Sequence, residues 1–447
     1  MSGESSLTAQ LIEEVIGFLN ENAEYAVMRN FEGLPHSNAA RDIDIIIRKQ
    51  DFKRIRRQLV ELICHSGWKI ITYLNSDRLI TFVCARNDGN STSIMQWDFF
   101  VDTSVFGILL MSADEFLADK EFNGFLWHLK TDSQFLDKYL YDRAVGTQYP
   151  EKYRSTRLAA ENSEYVTGKL ARTFGVRSTN ECDTVSGKKL LIHAVAHNLR
   201  TRPLGFISGI TKFLYTFTGN YIRSRTGFSI GFTGPDGSGK TTVIDRTIER
   251  LGAVFATAHS YYHFRPALFG NLGEVAHQAG IKKEVDRNYS DPHRGTRTGT
   301  LSSLVRLAYY STDYIIGYFA KVKSLTRITR LVVFDRYFTD IICDSRRSRI
   351  YLPPRFLNMW RKLFIPSLDY NILLTASAPT ILARKKELDE QGIHDINARI
   401  DFMAPKKGYL KVLNESTPDD AVTHILDHIF DTQHRKNLKR LKYTSNA

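Results

Sequence analysis

The chain has 447 residues, of which 43% are hydrophobic, and it carries a formal net charge of +13 at pH 7. This length is enough for two or three domains with cores of their own, and the ordinary composition excludes a disordered or fibrous chain. The positive charge favours polyanionic partners, namely nucleotides, phosphorylated glycans, nucleic acid or an acidic membrane surface.

The cysteines and the hydropathy pattern indicate a cytoplasmic location. The four cysteines form no C-x-x-C pair. This excludes the usual zinc spacings and a disulfide framework, and it suits a reducing compartment. The N-terminus is polar and acidic, unlike a signal peptide, and no run of ~18 or more apolar residues occurs. We therefore expect a cytoplasmic protein without a transmembrane helix.

The first stretch with chemical content is a predicted strand, Asp42–Ile47, which follows a loop containing a glycine. Because side chains alternate along a strand, Asp42 and Asp44 share one face. Two carboxylates so placed repel each other, and a divalent cation between them would relieve the repulsion. The strand therefore predicts a metal site.

A second predicted strand, Trp97–Asp102, offers Asp98 or Asp102 as a third carboxylate. Together these features resemble the nucleotidyltransferase superfamily, in which an Asp-x-Asp strand follows a glycine loop and a later strand supplies a third acid. The resemblance covers roughly residues 20–110 and implies an α+β domain that binds a metal through the three acids. The loop at 29–35 lacks the Gly-Ser or Gly-Gly of that family. The alternatives are a domain that has lost its activity, or surface aspartates on an edge strand.

Residues 111–226 are predicted to be a mostly helical middle region. Its last part, Phe206–Arg225, combines apolar side chains with Lys212, Arg223 and Arg225. This pattern fits a basic amphipathic helix lying on a membrane surface. It also fits a linker helix packed on the domain that follows, which is the preferred interpretation.

Gly234–Thr241 matches the phosphate-binding motif G-x-x-x-x-G-K-[ST] at every fixed position. It lies between the apolar run Phe228–Phe232, predicted to be a buried strand, and the segment 242–251, which has helical spacing. Glycines let consecutive backbone N–H groups point at phosphate oxygens, and the helix dipole adds to the attraction. Lys240 is expected to reach the β- and γ-phosphates of ATP, and Thr241 to ligate Mg²⁺. The predicted nucleotide-binding residues are Gly234, Asp236, Gly237, Ser238, Gly239, Lys240, Thr241 and Thr242.

A further apolar strand, Leu331–Phe334, ends in Asp335, Arg336 and Tyr337. A strand that is apolar along its whole length is typical of a parallel sheet covered on both faces. At its carboxyl end an acid can hold the water shell of Mg²⁺ or orient an acceptor hydroxyl. Arg336 beside it suits a phosphate oxygen.

These motifs together resemble the thymidylate kinase branch of the P-loop kinases. The matching features are the glycine loop, the Asp-Arg-Tyr after a strand, and Arg384–Leu388 following the predicted strand Asn371–Thr375. The resemblance implies that Arg336 contacts the phosphate of the acceptor and that Asp335 has a catalytic or Mg²⁺ role. It also implies that Arg384 belongs to a mobile lid over the transferring phosphoryl group.

Two segments concern the acceptor. By the same resemblance, Arg265, in the turn after Ser260–Tyr262, lies near it.

The stretch Phe338–Arg349 departs from the family because it carries acids and arginines and no evident thymine reader, so we do not expect thymidylate as the acceptor. Its candidates for contacts to sugar hydroxyls or a second anion are Asp340, Asp344, Arg346, Arg347 and Arg349. The alternative is a salt-bridged surface helix. The predicted substrate-binding residues are Arg265, Arg336, Tyr337 and Asp340.

The whole layout resembles bacterial fusion proteins that are associated with polysaccharide biosynthesis. We predict four parts: a nucleotidyltransferase-like domain at 1–110, the helical region at 111–226, a P-loop domain with a parallel sheet flanked by helices at 227–432, and a solvated basic tail at 433–447. The predicted function is an ATP- and Mg²⁺-dependent phosphotransferase acting on a phosphorylated nucleotide, sugar or glycan, with a candidate metal-dependent nucleotidyltransferase before it. The alternatives are a nucleotide-gated regulatory module without an acceptor, or one active domain with the other as scaffold. Nucleic acid is not an expected partner, and peripheral contact with an anionic membrane stays open.

Overall fold

The computed structural model describes residues 2–37, 42–89, 91–223, 227–252, 259–266, 299–327 and 330–442. By their internal contacts the residues form two compact units. The first unit consists of residues 1–86, 93–224 and 432–447, and the second of residues 87–92 and 225–431. Among the described helices, none has the length and apolar character needed to cross a membrane.

The first unit combines strands with helices on both sides of a sheet. Its described strands are β1 (Tyr25–Val27), β2 (Asp42–Ile47), β3 (Lys69–Asn75), β4 (Leu79–Asn87), β5 (Thr92–Phe100), β6 (Asp102–Val105), β7 (Ile108–Ser112), β8 (Lys120–Phe122) and β9 (Trp127–Leu129). Its described helices are α1 (Ser2–Asn22), α2 (Lys49–His65), α3 (Ala113–Ala118), α4 (Thr131–Val145), α5 (Arg154–Ala160), α6 (Glu164–Phe174), α7 (Thr179–Thr184), α8 (Gly187–Thr201) and α9 (Pro203–Arg223).

Seven of these strands form one sheet in the order β3-β4-β5-β2-β1-β9-β8. The central strand β2 buries Ile43, Ile45 and Ile47 in a core shared with α1 and α2. Its alternate residues Asp42 and Asp44 face the other way, as the strand period requires. The opposite face of the sheet is covered by α3, α4, α6 and α8 around a second core.

Within the predicted helical region 111–226, the residues from Thr131 to Arg223 form helices and short connections. Before that point the chain forms β8 and β9, which complete the seven-stranded sheet. Strands of three residues are too short to show an alternating pattern, which explains why the sequence did not indicate them.

The helix α9 packs within the first unit. A Cβ atom added at Gly209 would lie 2.2 Å from the Gly107 carbonyl oxygen, and the Phe213 ring lies 5.7 Å from that of Phe106. The preferred interpretation of this segment named the P-loop domain as its packing partner. That expectation is wrong. The contacts of α9 are with residues of the first unit, and residues 93–224 as a whole belong to that unit.

The second unit is built on strands that are buried along their length. Its described strands are β10 (Ser229–Thr233), β11 (Ser260–His263), β12 (Val332–Asp335), β13 (Tyr370–Thr375) and β14 (Tyr409–Leu413). Its described helices are α10 (Lys240–Gly252), α11 (Thr300–Gly317), α12 (Lys323–Arg327), α13 (Phe338–Cys343), α14 (Ser345–Ser348), α15 (Pro354–Phe364), α16 (Ala378–Arg384), α17 (Glu390–Met403) and α18 (Pro418–Arg440), whose residues from Thr432 onward belong to the first unit. A π-helical turn, Tyr318–Val322, joins α11 to α12.

These strands form a sheet in the order β11-β12-β10-β13-β14, and every pairing in it is parallel. The central strands β10, β12 and β13 are buried at every position. The predicted parallel sheet flanked by helices is therefore confirmed. Since the strands run the same way, their carboxyl ends share one edge, where β10 leads into the glycine loop.

The expected solvated tail is wrong for residues 433–442. The helix α18 continues to Arg440, and Leu441 lies in the core that contains α1 and α2. The backbone N–H of Ile70 donates to Nδ1 of His434, and the Asn437 amide donates to the Ile70 carbonyl at 3.1 Å. Residues 443–447 of the predicted tail lie outside the described residues.

Candidate nucleotide and metal sites

The loop between β10 and α10 has, at two points, a backbone conformation that favours glycine. Gly237 and Gly239 have φ angles of 86° and 85°, in the left-handed region. A Cβ atom at Gly239 would lie 2.5 Å from the side-chain nitrogen of Asn414, and one at Gly234 would lie 2.2 Å from the Leu374 carbonyl oxygen. The loop is therefore held tightly against the neighbouring strand ends.

Lys240, the first residue of α10, is buried and reaches back across this loop. Its Nζ donates to the carbonyl oxygens of Gly234 and Pro235 at 2.7 and 2.8 Å and lies 3.6 Å from Oδ1 of Asp236. Burial and then the nearby Arg336 lower the pKa of Lys240 to about 8. An ammonium held in this way can transfer to phosphate oxygens without a large movement.

The loop also contains a buried polar atom without a hydrogen-bond partner among the described residues. The Oγ atom of Ser238 is buried and has no hydrogen-bond partner among the described residues. Buried hydroxyls normally have a partner, so this atom fits a loop that accepts phosphate oxygens. Thr241 and Thr242 are exposed in the first turn of α10. The residues present therefore fit a nucleotide phosphate.

Asp335, at the carboxyl end of β12, lies beside the loop. Its Oδ2 accepts a hydrogen bond from the Tyr261 hydroxyl at 3.1 Å and lies 3.2 Å from Nδ1 of His263. Burial by itself would raise the pKa of Asp335, but the hydrogen bond from His263 and the charges of Arg336 and Lys240 outweigh it and lower the pKa. Its Oδ1 is buried and has no hydrogen-bond partner among the described residues. Asp335 is thus an ionised carboxylate with one oxygen available.

Arg336, which directly follows β12, forms an ion pair with the glycine loop. Its φ angle of 74° lies in the left-handed region, which costs a non-glycine residue ~1 kcal/mol or more. Its guanidinium contacts Asp236 at 2.5 Å and Asp340 at 3.2 Å. Burial opposes the charge of Arg336, but Asp340 and Asp236 outweigh that effect and raise its pKa.

A second arginine completes a charged network around Asp236. Arg347 also forms an ion pair with Asp236, and its Nε lies 3.5 Å from Asp344. The network thus alternates arginines with carboxylates in a largely buried place. Burial raises the pKa of Asp340, although Arg336 opposes the shift, and its Oδ2 has no hydrogen-bond partner among the described residues. An entering anion could take over a guanidinium from Asp236.

Three other predicted residues remain. Arg384 lies beside the glycine loop, whereas Arg265 and Tyr337 contact other parts of the second unit. Arg384, at the end of α16, donates to the Asn414 carbonyl at 3.0 Å, and its Nη1 is 3.8 Å from the position of a Cβ atom at Gly239. Arg265 forms a buried ion pair with Asp313 at 3.0 Å. Tyr337 is buried, and its hydroxyl donates to the Pro366 carbonyl.

Sequence reasoning missed three residues near the loop. The Asn414 amide donates to the Ser238 carbonyl at 2.8 Å, and Tyr261 and His263 contact Asp335. Tyr261 and His263 lie two apart on β11, so the strand alternation was a signal that could have found them. Asn414 directly follows β14, and recognising that strand would have put it at the same sheet edge.

The predicted acids of the first unit come together in space. Asp44 on β2 pairs in register with Asp98 on β5. The carboxylate oxygens of Asp42, Asp44 and Asp98 lie within 4.8 Å of one another. Of the two candidates for the third acid, the strand register brings Asp98 to the pair, whereas Asp102 begins the next strand.

Burial changes the pKa of two of these acids, Asp98 and Asp42. Asp98 accepts hydrogen bonds from Thr81 at 2.5 Å and from Gln96 at 2.8 Å. Burial raises the pKa of Asp98 to about 6; those hydrogen bonds oppose the shift, and the charges of Asp44 and Asp42 add to it. Burial and then Asp44 also raise the pKa of Asp42. A divalent cation would favour the ionised forms of all three.

One arginine partly offsets the negative charge of this cluster. Arg29 contacts Asp44 at 2.7 Å and Asp137 at 3.2 Å. Asp137 also accepts a hydrogen bond from Thr103. Because Arg29 contacts Asp44 of the cluster and divides its charge between that residue and Asp137, negative charge remains on the cluster. Its carboxylate oxygens are the ligands that Mg²⁺ and similar cations prefer.

No protein-family model matches the chain, and no curated protein matches it significantly. Among solved structures, the chain is similar to the crystal structure of thymidylate kinase from Ehrlichia chaffeensis, with 16% sequence identity and a TM-score of 0.29. The match covers 48% of this chain and 98% of that chain.

Proposed function

We propose that the second unit is an ATP- and Mg²⁺-dependent phosphotransferase. One observation carries this proposal. The buried ammonium of Lys240 lies across a glycine loop at the carboxyl edge of a parallel sheet. Beside it are Asp335 and Arg336, at the end of the neighbouring strand β12. Phosphoryl transfer needs little covalent chemistry from the protein and depends on positioning and charge. This group of residues supplies both.

Each residue then has a defined role. The loop amides and the start of α10 bind the phosphates of ATP, and Lys240 neutralises the β- and γ-phosphates. Mg²⁺, ligated by the Thr241 hydroxyl and through water by Asp335, would supply further charge neutralisation. Arg384, beside the loop, stabilises the charge that develops on the transferring group.

The acceptor is an anion that carries hydroxyls, such as a phosphorylated nucleotide, sugar or glycan. Arg336 and Arg347 both bind Asp236, so a phosphate of the acceptor can replace that carboxylate on one guanidinium. The available oxygen of Asp340 suits a hydroxyl donor. A glycan acceptor would agree with the resemblance to fusion proteins of polysaccharide biosynthesis.

The test is ATP turnover with Mg²⁺ against nucleoside monophosphates, phosphosugars and lipid-linked glycans. We expect one acceptor class to stimulate turnover, and Lys240→Ala to lower kcat/KM at least about a hundredfold, because a positioned charge is lost from the transition state. Lys411→Ala, an exposed lysine on β14 paired with Asp401, is the matched control and should behave like the wild type. A Lys240→Ala variant that keeps normal turnover would refute the assignment.

For the first unit we propose a metal-dependent nucleotidyltransferase. The carrying observation is the cluster of Asp42, Asp44 and Asp98. Two or three carboxylates can hold a cation that polarises a phosphoryl oxygen and orients the attacking group. Arg29, bound to Asp44, supplies a positive charge beside the same cluster.

A second candidate function for the P-loop unit is a nucleotide-gated regulatory module. The network around Asp236 favours it, because phosphates entering the loop would change which carboxylate each arginine binds. Tight ATP binding with slow hydrolysis, no stimulation by any acceptor and ATP-dependent binding of a partner protein would support this candidate over the phosphotransferase. A third arrangement keeps one unit active and the other as scaffold.

A further inference from the structure

Helix α9 presents an apolar face to solvent. Leu204, Ile207, Leu214 and Tyr215 are 82%, 57%, 52% and 75% exposed. Because successive helical residues turn by ~100°, these four fall on one side of α9, together with Thr211 and Thr218, whose hydroxyls donate to carbonyl oxygens of the helix itself. The side that packs on the first unit, through Phe213, is a different one. Four large exposed side chains in one row are more than scattered surface residues, and such rows mark interaction sites.

The charge around this face indicates the kind of partner. Residues 187–223, which form α8 and α9, contain no Asp or Glu and six Lys or Arg. A basic segment with an apolar face suits a membrane surface that carries anionic lipids. A second copy of the chain would bring two such basic segments together, and their repulsion opposes self-association through this face.

A cavity of about 260 Å³ lies next to the same helix. Its basic lining residues are Lys49 of the first turn of α2, Arg202 and Lys212. Among the described residues, none of these three side chains has a salt-bridge or hydrogen-bond partner. Gly205 and Ser208 also line the cavity, on the side of α9 between the packed side and the apolar face. The cavity thus holds three cationic side chains beside the apolar row, against the two carboxylates of Asp77 and Asp102.

The cavity also contains hydrogen-bond acceptors. Asp77 and Asp102 line it, and Oδ1 of Asp102 is buried without a hydrogen-bond partner among the described residues. A ligand that fits both sets of groups carries a phosphate for the cations and hydroxyls for the carboxylates. The head group of phosphatidylglycerol has this combination.

We infer that the first unit docks on anionic membranes through α9, with the apolar row entering the lipid layer and the cavity taking a phosphate head group. This surface uses none of the residues assigned to the two proposed reaction sites. The proposed activities and the docking therefore stand or fall separately.

The test is co-sedimentation of the full chain with vesicles of phosphatidylcholine alone or mixed with phosphatidylglycerol. We expect binding to the anionic vesicles, weak binding to phosphatidylcholine, and a loss of binding as salt is added. The Ile207→Ser, Leu214→Ser double variant should bind at least about tenfold more weakly, since it removes two inserted side chains. Lys212→Gln should bind about fivefold more weakly.

The control is Leu158→Ser, which removes a leucine of α5 that is also exposed in the first unit, and it should bind like the wild type. Thermal unfolding of each variant checks that these surface changes leave the fold intact. Equal binding to both vesicle types, or none to either, would overturn the inference. So would self-association in solution that the double variant abolishes, which would assign the face to a second copy. Binding that glycerol phosphate competes away while the double variant binds normally would assign the cavity to a soluble phosphate compound instead.

Discussion

At the scale of single residues, burial changes the chemistry of the charged groups. Lys240 has a lowered pKa because it is buried, and Asp98 has a raised pKa for the same reason. In both cases low solvation disfavours the charged form. A bound phosphate would raise the pKa of Lys240 again, and a bound cation would lower that of Asp98. The two ligands proposed above, a phosphate and a cation, each carry the charge opposite to that of the buried group.

The pKa of Lys240 predicts a pH dependence of ATP binding. The pKa of about 8 lies below the ordinary lysine value, so the folded protein without nucleotide loses this proton at lower pH than the unfolded chain does. Between about pH 8 and pH 10 the unfolded chain binds more protons, and this residue makes the stability of the nucleotide-free protein rise with pH. ATP needs the ammonium form, so its affinity should fall by up to about tenfold per pH unit above about pH 8.

Isothermal titration of ATP at about pH 7 and about pH 9 measures this effect. Lys240→Ala should bind more weakly at both values and show little change between them. Lys411→Ala should follow the wild type. An affinity of the wild type that stays constant over this range would contradict the role of a partly deprotonated Lys240.

At the scale of elements, the loop between β10 and α10 depends on backbone geometry more than on side chains. Gly239 combines a left-handed φ with close contact to Asn414, which itself binds the Ser238 carbonyl. The side chain that a substitution adds would have to displace this asparagine. For Gly252, at the other end of α10, no atom of the described residues lies within 4 Å of an added Cβ. Gly239, directly before α10, thus provides a test, and Gly252, its last residue, provides the control.

We expect Gly239→Ala to lower the free energy of unfolding by about 1–3 kcal/mol and to weaken ATP binding at least about tenfold. Gly252→Ala should leave ATP binding unchanged and alter stability by less than about 1 kcal/mol, because alanine suits a helix and has room there. Denaturant unfolding and ATP titration measure both quantities. Equal effects of the two substitutions would show that the loop geometry is not decisive.

At the scale of the whole molecule, two units with separate cores each carry a candidate site. The acid cluster lies in the unit of the seven-stranded sheet, and the glycine loop lies in the unit of the parallel sheet. No residue is shared between the two groups. This arrangement predicts that the two proposed activities can be lost one at a time.

We expect Asp42→Asn to abolish Mg²⁺- or Mn²⁺-dependent transfer of nucleoside monophosphate from labelled nucleoside triphosphates and to leave phosphotransfer near the wild-type level. Lys240→Ala should do the reverse, because each substitution removes a group from only one site. Asp114→Asn, an exposed aspartate of the first unit, is the control for Asp42→Asn. The two-site proposal would fail if each variant lost both activities. If neither reaction responded to Asp42→Asn, the first unit would be assigned as a scaffold.

What the sequence by itself determined is local. The glycine loop is one continuous segment whose residues impose its backbone, so Gly234–Thr241 and the strand before it were predictable. The apolar strand before Asp335 and the alternation of Asp42 and Asp44 were predictable for the same reason, since their patterns depend on near neighbours.

Only the tertiary structure decided which distant residues meet. The register of β2 against β5 brings Asp98, not Asp102, to the acid pair. The packing of α11 gives Arg265 its partner Asp313, and the last turns of α18 join the core of the first unit. The exposure of the apolar row on α9 was likewise open until its packing side was known. Such contacts join residues far apart in the chain, and no local pattern specifies them because pairing register and packing are set by the folded whole.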